Sequence, residues 1–242
     1  MKMTSMLRYF IYSLISCLSL CMNLHAQEET TQTTDSLVVK QKYGLRVGVD
    51  ASKIVRTFLE SDYSAFELNA DYRLTNKLYV AGDVGTEERT TSTDYLNSTA
   101  KGSYLKVGFD YNMYTNWVGM ENMVYSGLRF GLSNFDQTLN SYTIYDTNSP
   151  TWGQTEVLEG ETFTGLSAAW LELIFGFKAE VLNNLFMGLN VQIKGRLSET
   201  QPDNFENIYI PGFGRTFDSG NFGVGFGYNI SYLVPLFKKV KK

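Results

Sequence analysis

Cys17, Cys21 and His25 are the only thiols and the only imidazole of the 242-residue chain, and all three fall within its first 26 residues. Beyond that segment the chain has no donor for a thiolate nucleophile, an imidazole base or a zinc site of cysteine and histidine. Carboxylates, amines and hydroxyls remain. Glu172 with Glu180, or Asp110 with Glu67, are the pairs from which a general acid and base could be drawn. Strand order alone places neither pair at a working separation, so no catalytic residue is assigned. Gly165-Leu166-Ser167 lacks the second glycine of a nucleophile elbow. Gly223, Gly225 and Gly227 imitate a dinucleotide loop, yet their even spacing makes them one face of a strand. No cofactor is expected.

The other chemistry within reach is that of a hard cation. No Lys or Arg occurs between Arg129 and Lys178, which leaves Asp136, Asp146, Glu156, Glu159 and Glu161 uncompensated beside Tyr142, Tyr145 and Trp152. These carboxylates are the nearest approach to a Ca²⁺ or Mg²⁺ site, one that would bridge to lipopolysaccharide phosphates. A solvated acidic loop is the plainer reading, and Trp152 with the tyrosines would also suit a protein partner. No metal ligand is assigned.

The elements that would position these residues read as strands. Period-2 alternation recurs in eight segments, cleanest where Met187, Leu189, Val191 and Ile193 alternate with Gly188, Asn190, Gln192 and Lys194. About ten alternating residues are what a tilted strand needs to cross a bilayer. Tight turns are expected at Leu74–Asn76, Asn112–Asn116 and Leu182–Asn184, and long connections at 52–62, 86–102, 135–165 and 199–220. In the last of these, Phe205, Tyr209, Ile210 and Phe213 are apolar enough to pack over a barrel mouth or dock a partner. Pro150, Pro202 and Pro211 fall in connections, and Pro235 is expected to end the last strand.

Alternation does not say which face is inside; the distribution of charge does. The apolar faces carry no charge in any of the eight segments, as hydrocarbon would enforce at about 2–4 kcal/mol per charge at the midplane. The opposite faces hold Arg46, Arg73, Lys106, Arg129, Lys178, Lys194 and Arg196 against Asp50, Glu67, Asp71, Asp83, Asp110, Glu172 and Glu180, seven of each sign. Charges withdrawn from water need such partners, and the glycines between them suit an eight-stranded lumen filled by side chains. The fourteen are read first as a closed network that fills space and fixes register, and second as an ion path. Tyr43, Tyr72, Tyr111 and Tyr232 are expected to face outward in one aromatic girdle. The pattern predicts an all-β, closed, antiparallel up-and-down transmembrane barrel.

Residues 1–26 are expected to be a secretory signal, with Lys2 and Arg8 before an apolar run and cleavage after Ala26. Processing there leaves 19 basic against 25 acidic residues, a net charge of −6. Nucleic acid is then an unsuitable partner. Residues 27–42 read as a flexible periplasmic leader, 43–237 as the barrel and 238–242 as a basic tail. Over about 43–237 the chain resembles the small outer-membrane barrels that include the outer membrane protein A barrel and its eight-stranded relatives. It also looks like an outer-membrane barrel family defined only as a domain of unknown function. Tyr232–Phe237 is similar to the aromatic C-terminal signal of such barrels but runs on into Lys238-Lys239-Val240-Lys241-Lys242. Enzymes of this barrel class generally use His with Ser or Asp, so the resemblance implies a non-enzymatic barrel. It would sit in a Gram-negative outer membrane with both termini periplasmic. Lipid and an envelope protein are the expected partners, and the role is that of a structural element or a subunit of an assembly. The alternative is a small-ligand or ion-binding barrel using the acidic external loops.

Overall fold

The computed structural model describes residues 40–115, 120–144, 155–203, 205–217 and 220–240. The expected signal segment lies outside them. Eight long strands form the wall: β1 (Lys40–Asp50), β2 (Tyr63–Arg73), β3 (Leu78–Ser92), β4 (Leu96–Asn112), β5 (Met123–Ile144), β6 (Thr155–Leu182), β7 (Leu185–Glu199) and β10 (Phe222–Val240). A helix, α1 (Ala51–Leu59), joins β1 to β2, and two short strands, β8 (Tyr209–Ile210) and β9 (Gly214–Arg215), precede β10. The wall closes in the order β1-β10-β7-β6-β5-β4-β3-β2, every neighbour antiparallel. Closure leaves a small sheet without open edges along its paired length.

The wall is apolar outside and polar inside. In β2 burial alternates strictly, with Glu67, Asn69 and Asp71 buried and Phe66 and Leu68 exposed. In β4, Lys106 and Asp110 are buried while Leu105, Val107 and Phe109 are about half exposed. The same inversion runs through Phe130 and Leu132, Leu173 and Phe175, and Val191 and Ile193. In water such a surface would forfeit the hydrophobic gain that normally drives folding, about 25 cal/mol per Å². Placed in hydrocarbon, it costs nothing and excludes charge.

Several boundaries differ from expectation, each for a physical reason. The 86–102 and 135–165 connections are mostly strand, because β3 and β4 pair from Leu78↔Tyr111 to Ser92↔Asn97, and β5 and β6 pair out to Ile144↔Thr155. Thr86 to Thr91 are polar on both faces, so alternation vanishes where water lies on both sides. The Asn112–Asn116 turn is longer than expected, since β5 begins only at Met123. The 52–62 connection holds α1, whose nine residues are too few for a helical period to stand out. The described ends of the expected leader and tail pair as strand, from Lys40↔Val240 to Lys42↔Lys238. Pro235 therefore does not end β10. It sits opposite Gly44, where the register shifts between Tyr43 and Gly44, and a bulge tolerates a residue without an N–H. The same shift buries Tyr43 rather than leaving it in the girdle. Its ring stacks on Phe237 at 5.5 Å, and its hydroxyl donates to Asn76 at 2.9 Å. Tyr111 and Tyr232 do face outward.

Both ends of the lumen are filled. At the α1 end, Ile210 and Phe213 are driven into the mouth against Tyr104, Phe135, Leu166, Ala168 and Trp170. Trp170 meets Phe213 edge-on at 6.0 Å, and Phe205 stacks on Phe163 at 5.9 Å. Gly131 makes room for the indole, since a Cβ there would strike Trp170. At the end bearing the termini, Tyr79, Met123, Tyr125 and Ile174 form a second cluster.

Candidate functional site: an ion column in the lumen

Between the two apolar clusters runs one connected column of charge. Arg46 donates from Nε and Nη2 to Asp71 at 2.9 and 2.7 Å, and its guanidinium lies over Phe186 at 4.8 Å. Lys178 donates to the same carboxylate at 2.7 Å and reaches Asp110 at 4.0 Å. Arg129 joins Asp110 at 2.8 Å to Asp83 at 3.4 Å. Lys106 links Asp83 at 4.0 Å, Glu67 at 3.1 Å and Glu172 at 3.9 Å. Lys194 lies 3.9 Å from Glu172 and donates to the carbonyls of Gly212 and Phe213 at 2.8 and 3.2 Å. Alternation delivers one such side chain every second residue from each strand, and the barrel brings them to one axis.

Ten of the fourteen expected lumen charges belong to this column: Arg46, Glu67, Asp71, Asp83, Lys106, Asp110, Arg129, Glu172, Lys178 and Lys194. The other four sit elsewhere. Asp50 is buried but serves as the N-cap of α1, accepting from Ser52 N at 2.8 Å. Arg73 and Glu180 lie at the termini end, paired with Glu121 at 2.6 Å and Lys42 at 3.4 Å. Arg196 leaves the column altogether. It keeps the register of Lys194, opposite Trp170, but lies beyond the end of the column, where it pairs with Glu199 at 2.8 Å.

Sequence reasoning missed four participants. Lys53, on α1, bridges Glu67 at 3.9 Å and Glu87 at 3.4 Å. Glu87 also accepts from Tyr63 at 2.6 Å, Tyr209 at 2.7 Å and Gly212 N at 2.7 Å, which ties the mouth plug to the wall. Burial and the Glu87 carboxylate push the Tyr209 phenol well above its usual range, so it stays a donor. Continuing the parity Asp83, Gly85, Glu87 would have found this residue. Lys42 falls in the expected leader and Glu121 between the expected Asn112–Asn116 turn and the fifth strand, where no alternation marks them.

The imagined acid–base pairs are not assembled. Glu172 lies in the column while Glu180 pairs with Lys42, and Asp110 and Glu67 are held by different cations. Nor do the acidic candidates gather. Asp136 accepts from Gly165 N at 2.9 Å beside a bulge, while Glu161 and Glu156 stand opposite Leu139 and Thr143 on β5. Asp146, Tyr145, Trp152 and the Glu159 side chain lie outside the described residues. Among the described residues no three carboxylates form a cluster that would hold a metal ion.

Beside a space of about 130 Å³ toward α1, lined by Lys53, Glu87, Lys106, Gln192 and Lys194, the column holds a cavity of about 20 Å³ bounded by Glu67, Asp71, Asp83, Lys106, Arg129 and Lys178. That is room for about one water molecule. Outside the membrane-spanning strands, Glu60 ends α1. Hydrogen bonds from Arg56 and then Arg89 lower its carboxyl from 4.5 to about 2. A depressed carboxyl stabilises the folded arrangement above its unfolded value and loses that contribution as pH falls toward the folded one. The α1 tie is therefore expected to weaken as pH drops from about 4.5 toward 2. An NMR titration of the Glu60 carboxyl should give a midpoint near 2. An unshifted midpoint would mean the two arginine contacts do not form.

With the geometry in hand, comparison places the chain. The family described as "Domain of unknown function (DUF6048)" matches residues 6–239. Two solved structures are similar. One is Ail, the attachment invasion locus protein of Yersinia pestis, at 10% identity and TM-score 0.38, covering 79% of this chain and 97% of that one. The other is CarO2 of Acinetobacter baumannii, at 11% identity and TM-score 0.38, covering 81% and 99%. No curated protein matches.

Proposed function

The chain belongs to the DUF6048 family, and we propose that it is a sealed, non-catalytic barrel of the Gram-negative outer membrane, a structural element or the membrane subunit of an envelope assembly. The observation that carries this reading is the lumen: a column of mutually neutralising ions, capped by an apolar cluster at each end. A pore needs a continuous wet path, and a catalyst needs a group free to exchange protons with substrate. Here each carboxylate of the column lies within 4.0 Å of an ammonium or guanidinium partner.

Lys40 and Val240, where the wall begins and ends, share one end with the 74–77 and 183–184 connections and the beginning of β5, while α1 and the long hairpins occupy the other. Outer-membrane barrels keep short turns periplasmic, which supports periplasmic termini and external hairpins. The outer part of β6, Thr155–Ser167, extends beyond its pairing with β7. Glu156 and Glu161, and the positive-φ glycines Gly160 and Gly165, lie along it. Charge and bulges of this kind discourage strand addition, so a partner would dock on faces rather than extend the sheet. The alternative of a cation-binding loop lacks a comparable observation among the described residues.

Two measurements test the proposal. Purified barrel in planar bilayers should show no steady ionic conductance, and reproducible single-channel steps would overturn the sealed lumen. Gentle solubilisation of native membranes followed by cross-linking should yield a defined complex. Recovery of a lone monomer under every mild condition would remove the assembly role and leave the structural one.

A further inference from the structure

The barrel wall is incomplete at one place. β1 stops at Asp50 opposite Asn229, yet β10 continues to Phe222, and β2 begins at Tyr63 with only β3 beside it above Leu68. Between the free edges of β10 and β2 the chain supplies no strand. It supplies α1.

The helix is amphipathic in the reverse sense to a helix on a soluble core. Ala51, Ile54, Val55, Phe58 and Leu59 recur at the spacing of one stripe, and Ser52, Lys53, Arg56, Thr57 and Glu60 form the other. The polar stripe faces the barrel: Lys53 reaches Glu87 and Glu67, and Arg56 donates to Glu60 at 2.9 Å. Thr57 takes the place of a missing strand, its hydroxyl accepting from Ala65 N at 2.9 Å and lying 3.2 Å from Ala65 O. Asp50 does the same for β10, accepting from Tyr228 N at 3.3 Å. The apolar stripe is left outward, Phe58 being 84% exposed, and no residue of α1 is buried.

The surfaces flanking this stripe are Phe66 on β2 and Phe222, Val224 and Phe226 on β10, all outward members of the apolar belt. We propose that α1 is part of the barrel wall and that its apolar stripe packs against acyl chains of the outer leaflet. The argument is continuity: the stripe extends a lipid-facing surface across the gap, and its polar side satisfies strand edges that hydrocarbon would not tolerate bare. Helices of this composition lie in the membrane interface with the apolar face inward to the chains.

This inference rests on the membrane-barrel reading, and one experiment separates the two. Single nitroxide labels are placed at Phe58→Cys, Phe226→Cys and Leu158→Cys in a Cys17→Ser, Cys21→Ser background, with the purified protein in phosphatidylcholine vesicles. Collision with oxygen is compared with collision with a water-soluble nickel chelate. The Phe58 label should behave as the Phe226 label does, favouring oxygen, and unlike Leu158 in water. Chelate access equal to that at Leu158 would place the stripe in solvent. Low access to both reagents would place it against a second copy of the chain. Either result with a lipid-exposed Phe226 overturns the α1 inference alone, whereas a chelate-accessible Phe226 overturns the membrane reading. Val55→Cys repeats the test if the first variant fails to fold.

Discussion

Val107→Arg is expected to lower the unfolding free energy of the barrel in lipid vesicles by about 2–4 kcal/mol, the depth-dependent cost of arginine near a bilayer midplane. Val107 is half exposed in the isolated barrel, flanked along β4 by the outward Leu105 and Phe109. On a soluble protein a half-exposed valine of this kind changes stability by no more than about 0.5 kcal/mol when replaced. The size of the loss therefore reports the solvent the residue sees. Asn134→Arg is the control, because Asn134 faces outward on β5 beyond the last apolar position, Leu132. It should cost little. Denaturant titrations of both variants, reconstituted in the same lipid, supply the comparison. Equal and small losses would place Val107 in water.

The second large effect is expected inside. Asp71 is buried and receives both Arg46 and Lys178. Asp71→Ala leaves two cations withdrawn from water with no carboxylate between them, and breaking a buried pair in this way costs about 3–5 kcal/mol. Removing the cations as well should recover most of the loss, since apolar side chains of similar volume often replace buried ions at little cost. The triple variant Asp71→Ala, Arg46→Met, Lys178→Met is expected to unfold closer to the parent than the single variant does. This comparison measures coupling rather than the sum of three truncations. A single variant that loses less than about 1 kcal/mol would mean that water fills the lumen and screens the cations.

These expectations depend on features that were legible in the sequence to different degrees. Where hydrocarbon meets one face and the lumen the other, the pattern is unambiguous: Leu105, Val107 and Phe109 against Lys106, Gly108 and Asp110 read directly as wall and interior. The column followed from parity alone. Parity fails where one extra residue enters a strand. The shift beside Tyr43 buried a tyrosine expected outside. Parity also does not say where the column ends, so Arg196, in register with Lys194, lies beyond it and pairs with Glu199. It also fails where both faces meet water, as in Thr86–Thr91, which hid the outer strands and with them Glu87. α1 escaped because its apolar stripe, in nine residues, looks like an ordinary loop with a few hydrophobic members. Of the four apolar residues expected to pack over the mouth or dock a partner, Ile210 and Phe213 enter the mouth, Phe205 stacks on Phe163 and Tyr209 reaches Glu87.

The central claim is that lipid, not a packed apolar interior, supplies the solvent for this fold. It is tested most directly by refolding the mature polypeptide from urea with and without phospholipid vesicles, following β-sheet circular dichroism and protease resistance. The account predicts a protease-resistant barrel with lipid and aggregation or unfolded chain without it. A compact, protease-resistant monomer formed in aqueous buffer alone would contradict the account, because outward Val107, Val191 and Phe226 would then have to be buried in some other arrangement.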